Sequence, residues 1–385
     1  MKDLINVILR ELRIIRIRPV YILASAGVLI FNVIFYLTFF RQGLPQDLPV
    51  GLVDMDGSST SRSFARQLDA TSLSRVIRYG DIHLARQDME KGRITSFVYI
   101  PEHFNSQVQA GLQPKLELYF NSLYFVGGAL SYKSLLEMAN LTSGAVQREQ
   151  LRARGKTDAE IMATIKPIVV EPHQIGNPMT NYGVYLNGVL LPGILEMIVI
   201  LLTIYAVGSE LKYGTSRHLM RTAGSLDKAL TGKMLPYTVI FVVLGVLLEL
   251  FLFGPMHYPI KGAVGWMILD TVLLVVASEA LGLFIISLFP VLRLAISVGA
   301  IVSVLGISLA GFTLPVEVMP VWIQGFSAIF PLRHFYMFHV QETIFGTGFA
   351  GWWQEVIHLL LFMFIPLVFR RRLEDAYMNE DYERD

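Results

Sequence analysis

Four acidic residues stand inside runs that are otherwise apolar: Glu196, Glu249, Asp270 and Glu279. A carboxylate in hydrocarbon costs about 2.5 kcal/mol or more unless it faces protein or water, so each of them needs a partner or a pathway. Glu196 falls midway along the second apolar run and Glu279 in the inner half of the fourth. Two chemistries fit these two residues. They line a translocation path or bind a cation, or they stay neutral and hydrogen-bonded as ties between helices. Glu249 and Asp270 lie nearer the outer ends of their runs, within expected reach of water.

Other site chemistries find less in the chain. A phosphate loop needs Gly-x4-Gly-Lys-Ser/Thr, whose backbone N–H groups cradle phosphates. Gly155-Lys156-Thr157 has Gln150 where the first glycine belongs, and Gly232-Lys233 has Asp227 there, so no ATP site of this kind is offered. The eight histidines are scattered without a His-Glu-x-x-His, and His334 and His339, five apart, match one helical face poorly; no metal site is expected. With no cysteine, disulfides and thiolate metal sites are excluded together. A net charge of +1 carries no electrostatic footprint for nucleic acid.

The segment VGLVDMDGSS, an apolar strand running into Asp54-x-Asp56, resembles the nucleophile motif of haloacid-dehalogenase-type phosphatases. That resemblance implies Asp54 as nucleophile, Asp56 as acid, a downstream lysine and a late acidic pair for Mg²⁺. The nearest acidic candidate, in YGDIHLARQD, follows only about 25 residues later, too soon for that strand order. A strand end followed by helix capping, with Asp56 and Ser58 as caps, accounts for the same residues.

The elements that would position these groups follow from apolar length. The chain is 53% hydrophobic and only 16% charged, with mean hydropathy +0.51, the balance of an integral membrane protein. The first run, Val20 to Phe40, is long enough to span a bilayer and reads as a retained helix rather than a cleaved signal. Further runs at 186–207, 236–254, 265–289, 295–314 and 352–369 make six spans. Lys2, Arg10, Arg13, Arg16 and Arg18 precede the first span. Lys212, Arg217, Arg221, Lys228 and Lys233 lie between the second and third, Arg293 after the fourth, and Arg370, Arg371, Arg372 and Arg384 after the sixth. The short alternate loops hold only Lys261 and Arg333, which places both termini in the cytoplasm and residues 41–185 outside.

Residues 1–18 put Ile5, Ile8, Leu12 and Ile15 at helical spacing opposite Asp3, Asn6, Arg10 and Arg13, the pattern of a basic amphipathic helix lying on the inner membrane surface. Within 41–185, LPVGLVDMD and ITSFVYIP read as strands, each followed by a polar-capped helix; KLELYFN reads as a third strand and 125–166 as a helical hairpin broken at RARGKTD. After the fifth span, 295–314, Pro315 and Pro320 end the helix. Two short apolar helices then occupy 315–351, as a re-entrant hairpin in the outer leaflet or as an interfacial pair resting on the headgroups. Span six, 352–369, and a cytoplasmic tail, 370–385, complete the chain.

Loop 208–235 carries Glu210, Gly214-Thr215, Leu219, Thr222 and Gly232-Lys233 ahead of a new span, with Ala223-Gly224 after the threonine. This order resembles the E-x-x-x-G-T-x-x-x-L…T-P…G-K pattern of ABC-2 type transporter permeases, apart from the missing proline. LAGFTLPVEVMP with PLRHF, which includes Gly311, Pro315, Met319, Pro320 and Pro331, is similar to that family's pattern at the end of the fifth span. VDMDGSSTSRSF and IPEHFNSQVQAG resemble the extracytoplasmic domain of its bacterial drug-efflux-like branch.

The resemblance implies an α-helical polytopic membrane protein of six transmembrane helices, ABC-2 or type V exporter-like, with an inserted α/β extracytoplasmic domain and an outer re-entrant hairpin. It implies a multi-pass permease of the bacterial inner membrane that works as a dimer with a second copy or a paralogue and uses separate ABC ATPase subunits. Those subunits, and not this chain, would carry ATP and Mg²⁺. Glu210, Gly214, Thr215, Arg217, Leu219, Ser225, Asp227 and Lys233 would couple to them, with 225–231 as a short helix parallel to the membrane. Glu196 and Glu279 would face the path, and Gly311, Pro315, Met319, Pro320 and Pro331 would form the outer gate. A drug, lipid, glycan or peptide is the expected amphipathic cargo, and a periplasmic adaptor a possible further partner. Two other classes stay open, a membrane-tethered phosphatase using Asp54 and Asp56, and an assembly or receptor protein that transports nothing.

Overall fold

Apolar length dominates the architecture. Among the described residues, six helices are long and apolar enough to cross a membrane: Pro19–Phe39, Tyr182–Lys212, Leu226–Phe253, Val264–Leu288, Leu292–Leu309 and Phe349–Asn379. The computed structural model describes residues 2–122, 125–168, 170, 171, 173, 175–178 and 180–379; Arg384 lies outside them. The chain divides into two units, Met1–Gly43 with Gln174–Asp385, and Leu44–His173.

Helix α1 (Lys2–Ile17) leads into the first candidate span, which comprises α2 (Pro19–Ile22), a π turn (Leu23–Gly27) and α3 (Val28–Phe39). The buried face of α1 is Val7, Glu11 and Ile15, while Ile5 and Leu12 are exposed. The expected apolar face is therefore rotated. A groove in a later helix, described below, selects the side that carries Glu11.

The unit Leu44–His173 runs β1 (Leu48–Asp54), α4 (Ser59–Asp69), β2 (Ser74–Tyr79), α5 (Ile82–Glu90), β3 (Ser96–Ile100), α6 (Phe104–Gln109), β4 (Glu117–Phe120), α7 (Phe125–Ala153) and α8 (Asp158–Ile165). Its sheet order is β2-β1-β3-β4, with β1 parallel to both neighbours and β4 antiparallel to β3. The two parallel pairings are helical crossovers, which bury both sheet faces. Val50, Leu52, Val98 and Ile100 pack under Phe64, Leu68 and Leu135, and Val53 and Phe97 pack with Ala85 and Ile94 on the other face. Ser58 Oγ caps α4 by accepting from Ser61 N at 3.2 Å. Asp56 is not that cap; its carboxylate lies 3.4 Å from Asn105 N, in the first turn of α6.

The remaining elements are α9 (Tyr182–Lys212), α10 (Ser216–Ala223), α11 (Leu226–Phe253), α12 (Val264–Leu288), α13 (Leu292–Leu309), a 3-10 turn (Val316–Val318), α14 (Val321–Ser327), α15 (Pro331–Val340), a π turn (Gln341–Phe345), α16 (Phe349–Phe362), a 3-10 turn (Ile365–Phe369) and α17 (Arg370–Asn379). Helix α9 is buried on nearly every side and packs against α3, α11, α12 and α13, as an all-round apolar helix must. Ser225 caps a continuous α11, so 225–231 is the start of that long helix and not a short helix of its own. The short helix of this region is α10. The fifth candidate span stops at Leu309, five residues before the expected Leu314, because Gly311 turns the backbone to φ +102° ahead of Pro315. Glu249 and Asp270 are buried, at 4% and 0% exposure, and not within reach of water.

The groove that receives α1 opens at Gly232 of α11, where an added Cβ would lie 2.9 Å from Val7 Cβ. Gly232→Val is therefore expected to destabilise the protein by about 1–3 kcal/mol through overpacking and to speed trypsin cleavage after Arg10 and Arg13 by loosening α1. Thermal unfolding in detergent and a timed digest check both; wild-type behaviour in the two assays would contradict the docking.

Candidate functional site

Four charged side chains meet where α1, the last turn of α9 and the second turn of α11 converge. Arg10 grips Glu210 with both terminal nitrogens, each at 2.9 Å. Lys233 Nζ donates to Glu210 Oε1 and to Glu11 Oε1, both at 2.8 Å. Tyr237 OH donates to Glu11 Oε1 at 2.8 Å, and Thr215 Oγ1 donates to Glu210 Oε2. Glu11, Lys233 and Glu210 retain 0%, 1% and 3% exposure. Two cations and two carboxylates balance, and the fork of Arg10 suits a planar carboxylate.

Local sequence explains the placement. Glu210 lies near the carbonyl end of α9, where a helix disfavours negative charge, and Arg10 and Lys233 supply the compensating cations. Burial alone would pull the Arg10 guanidinium down, but the hydrogen bond and charge of Glu210, with the charge of Glu11, outweigh it and hold Arg10 above its ordinary value. Gly214, at φ +64°, allows the chain to leave α9 and begin α10 within two residues, and Thr215 N returns to Glu210 O at 2.9 Å.

Helix α10 buries Ser216, Leu219, Met220 and Ala223 and exposes Arg217, His218 and Arg221. Arg217 Nε donates to Met378 O at 2.7 Å and Ser216 Oγ to Tyr377 O at 2.9 Å, while Tyr377 OH donates to Val207 O at 2.9 Å. Asp227 pairs with Arg370 at 2.9 Å. Helix α17 thus braces α10 against α9 and the start of α11. Of the eight residues the family resemblance singled out in this region, Glu210, Thr215 and Lys233 enter the cluster directly, Gly214 shapes its turn, and Arg217, Leu219, Ser225 and Asp227 fix the elements around it. Spacing missed Glu11, Tyr237 and Tyr377. A lone glutamate between Arg10 and Arg13 was the available signal.

The acidic residues of the apolar runs have separate surroundings. Glu196 is buried, lies beside the Leu332 backbone in the first turn of α15 and faces Gly306 of α13, so its carboxylate sits near a helix N-terminus. Glu279 Oε2 accepts from Thr238 Oγ1 at 2.7 Å and ties α12 to α11. Asp270 has no hydrogen-bond partner among the described residues. Glu342, not singled out by spacing, accepts from Trp352 Nε1 and Ala263 N, each at 2.9 Å.

Around the proline-rich segment, Arg333 Nη1 reaches Gln324 O at 2.6 Å and Ser327 Oγ at 2.7 Å, which joins α15 to α14. Pro331 opens α15 from a buried position, Pro320 precedes α14, and Met319 O accepts from Gln324 Nε2 at 2.9 Å. Tyr185 OH donates to Phe312 O at 2.6 Å beside Gly311. In the other unit, Asp54 Oδ1 accepts from Asp56 N and Gly57 N at 3.1 and 3.0 Å, so it serves a turn.

Glu210→Gln leaves Arg10 and Lys233 with one buried carboxylate between them and is expected to lower stability by about 3–5 kcal/mol. Asp158→Asn, which breaks exposed pairs with Arg148 and Arg152, is expected to change it by about 0.5 kcal/mol or less. Chemical unfolding of the two variants in detergent separates these outcomes, and equal effects would contradict the role given to burial.

Comparison with known proteins follows the same geography. The chain is 24% identical over 281 residues to the inner membrane transport permease YhhJ of Escherichia coli K12, an alignment that covers 71% of this chain and 70% of the relative. The Shigella flexneri protein of the same name matches to the same extent. The model of the ABC-2 family transporter protein matches residues 20–369, from the first candidate span through the 3-10 turn that precedes α17. Six apolar helices and this match over most of its length make the chain a member of the ABC-2 transporter family, a membrane transport permease.

Proposed function

We propose that the chain is the membrane-spanning subunit of an ATP-driven exporter of the bacterial inner membrane, moving an amphipathic molecule outward. Both termini are cytoplasmic in this reading and residues 41–185 extracytoplasmic, as the distribution of Lys and Arg favours. Separate ATPase subunits dock on α10 and the turn at Gly214, and a second copy or a related chain completes the path. The observation that carries the proposal is the buried cluster directly behind α10. A push on that helix meets Thr215 and Glu210, and through them Arg10 of α1 and Lys233 of α11.

The exposed side of α10, with Arg217, His218 and Arg221, offers a basic face to an acidic partner surface. Nucleotide-driven movement shifts the permease only if the ATPase contacts it differently in two states, and a helix fixed to three others can transmit such a difference. At the other end, Gly311, Pro315, Met319, Pro320 and Pro331 form a joint between α13 and the short helices, and Glu196 holds the start of α15 to α9. This joint is proposed as the outer gate, with α14 and α15 as its re-entrant hairpin. Glu279, bound to Thr238, is proposed to line the path between α11 and α12. Drugs, lipids, glycans and peptides remain the cargo classes, and a periplasmic adaptor is compatible with the α/β unit.

Co-purification with the partner ATPase, followed by cargo-stimulated ATP hydrolysis, tests the proposal. Arg221→Glu is expected to weaken ATPase association on the order of tenfold, about 1.4 kcal/mol, with unfolding of the permease unchanged. Gly214→Val is expected to reduce association as well, because φ +64° strains a β-branched residue. Undiminished association in both variants would show that the ATPase docks elsewhere.

A further inference from the structure

Glu355 and His358, three residues apart on α16, meet His334 of α15, 21 residues before Glu355. Their ligand atoms all lie within 4.8 Å of one another. His334 Nδ1 is 2.6 Å from Glu355 Oε2, and His358 Nδ1 is 3.7 Å from the same oxygen. The two imidazole rings stack with centroids 4.5 Å apart.

The hydrogen bonds decide what this arrangement asks for. His334 Nε2 lies 2.9 Å from Ala328 O, and a carbonyl oxygen can only accept, so Nε2 carries the hydrogen. In the neutral ring that leaves a lone pair on Nδ1, pointing at a carboxylate oxygen that also only accepts. A contact of 2.6 Å between these two atoms needs a hydrogen or a cation between them: a proton on Nδ1 makes an imidazolium–carboxylate pair, and a metal ion can take that proton's place. A ring nitrogen anchored to a backbone carbonyl, with its other nitrogen aimed at a cluster of donors, is the arrangement found where histidine binds metal.

We propose that His334, Glu355 and His358 form a binding site for a divalent transition-metal ion of the zinc class. Two imidazole nitrogens and one carboxylate oxygen suit such an ion and leave a coordination position for water. The side chains of His334 and Glu355 are 4% and 18% exposed and that of His358 is 49% exposed, so the ion enters from the His358 side. Bound there, it pins α15, which begins at Pro331, to α16. The site is independent of how the ATPase docks, so its failure leaves the transport proposal standing.

The test uses the full chain without a histidine tag, stripped with chelator and titrated in detergent with zinc chloride. Cobalt chloride serves as a spectroscopic substitute. The expected result is one equivalent bound, visible ligand-field absorption with cobalt, and a higher melting temperature with metal. His358→Ala and Glu355→Gln should each weaken binding by about tenfold or more. His358 is half exposed, so His358→Ala is expected to elute and melt like the metal-free wild type. No stoichiometric binding by the wild type, or equal affinity in His358→Ala, would overturn the proposal and assign the His334–Glu355 contact to a shared proton.

Discussion

Two cations and two carboxylates, three of them almost wholly withdrawn from water and Arg10 21% exposed, must stay paired where α1, α9 and α11 meet, and much of the membrane unit is arranged to keep them so. Each ion has given up several kcal/mol of hydration, which only close partners offset. Lys233 therefore bridges Glu11 and Glu210, and Arg10 occupies the remaining side of Glu210 with two parallel hydrogen bonds. Gly232 admits α1 closely enough for Glu11 to reach Lys233, and Gly214 turns the chain so that Thr215 completes the coordination of Glu210. Replacing a buried ion pair by apolar residues of similar volume is often neutral or stabilising, so the pairing is better understood as a device of position than of stability. It fixes one register for α1 against α11, and that register sets where α10 presents its basic face.

The carboxylates deeper in the helices answer the same constraint with fewer partners. Glu196 meets the start of α15, and Glu279 meets a threonine hydroxyl. Both carboxylates lie between two packed elements. Glu196 is the clearer case, since it connects the central helix α9 to the segment that follows the joint at Gly311 and Pro315.

The long helices were legible because a run of about 20 apolar residues is a property of composition alone. Glu210, Thr215 and Lys233 were legible as a spaced set, although their partner Glu11 sits some 200 residues away and looked like one more polar residue of a basic helix. Ser225 and Asp227 correctly marked a helix start, but nothing at 232 marked an end, and a short helix was expected where α11 continues. Gly311, and not Pro315, stops α13, since positive φ breaks a helix before a missing N–H does. Strand β2, with Arg75 and Arg78 on a sheet edge, lacked the apolar alternation that revealed β1, β3 and β4. In the His334, Glu355 and His358 group, Glu355 and His358 are helical neighbours three residues apart, but His334 joins them only through the tertiary meeting of α15 and α16, which spacing does not reach.

The central claim is that α1 and α11 are energetically joined through buried charge. A double-mutant cycle of Glu11→Gln and Lys233→Gln, read by chemical unfolding in detergent, measures that join directly. The account predicts an interaction energy of about 1.5–3 kcal/mol between the two positions. Effects that add to within about 0.5 kcal/mol would contradict it.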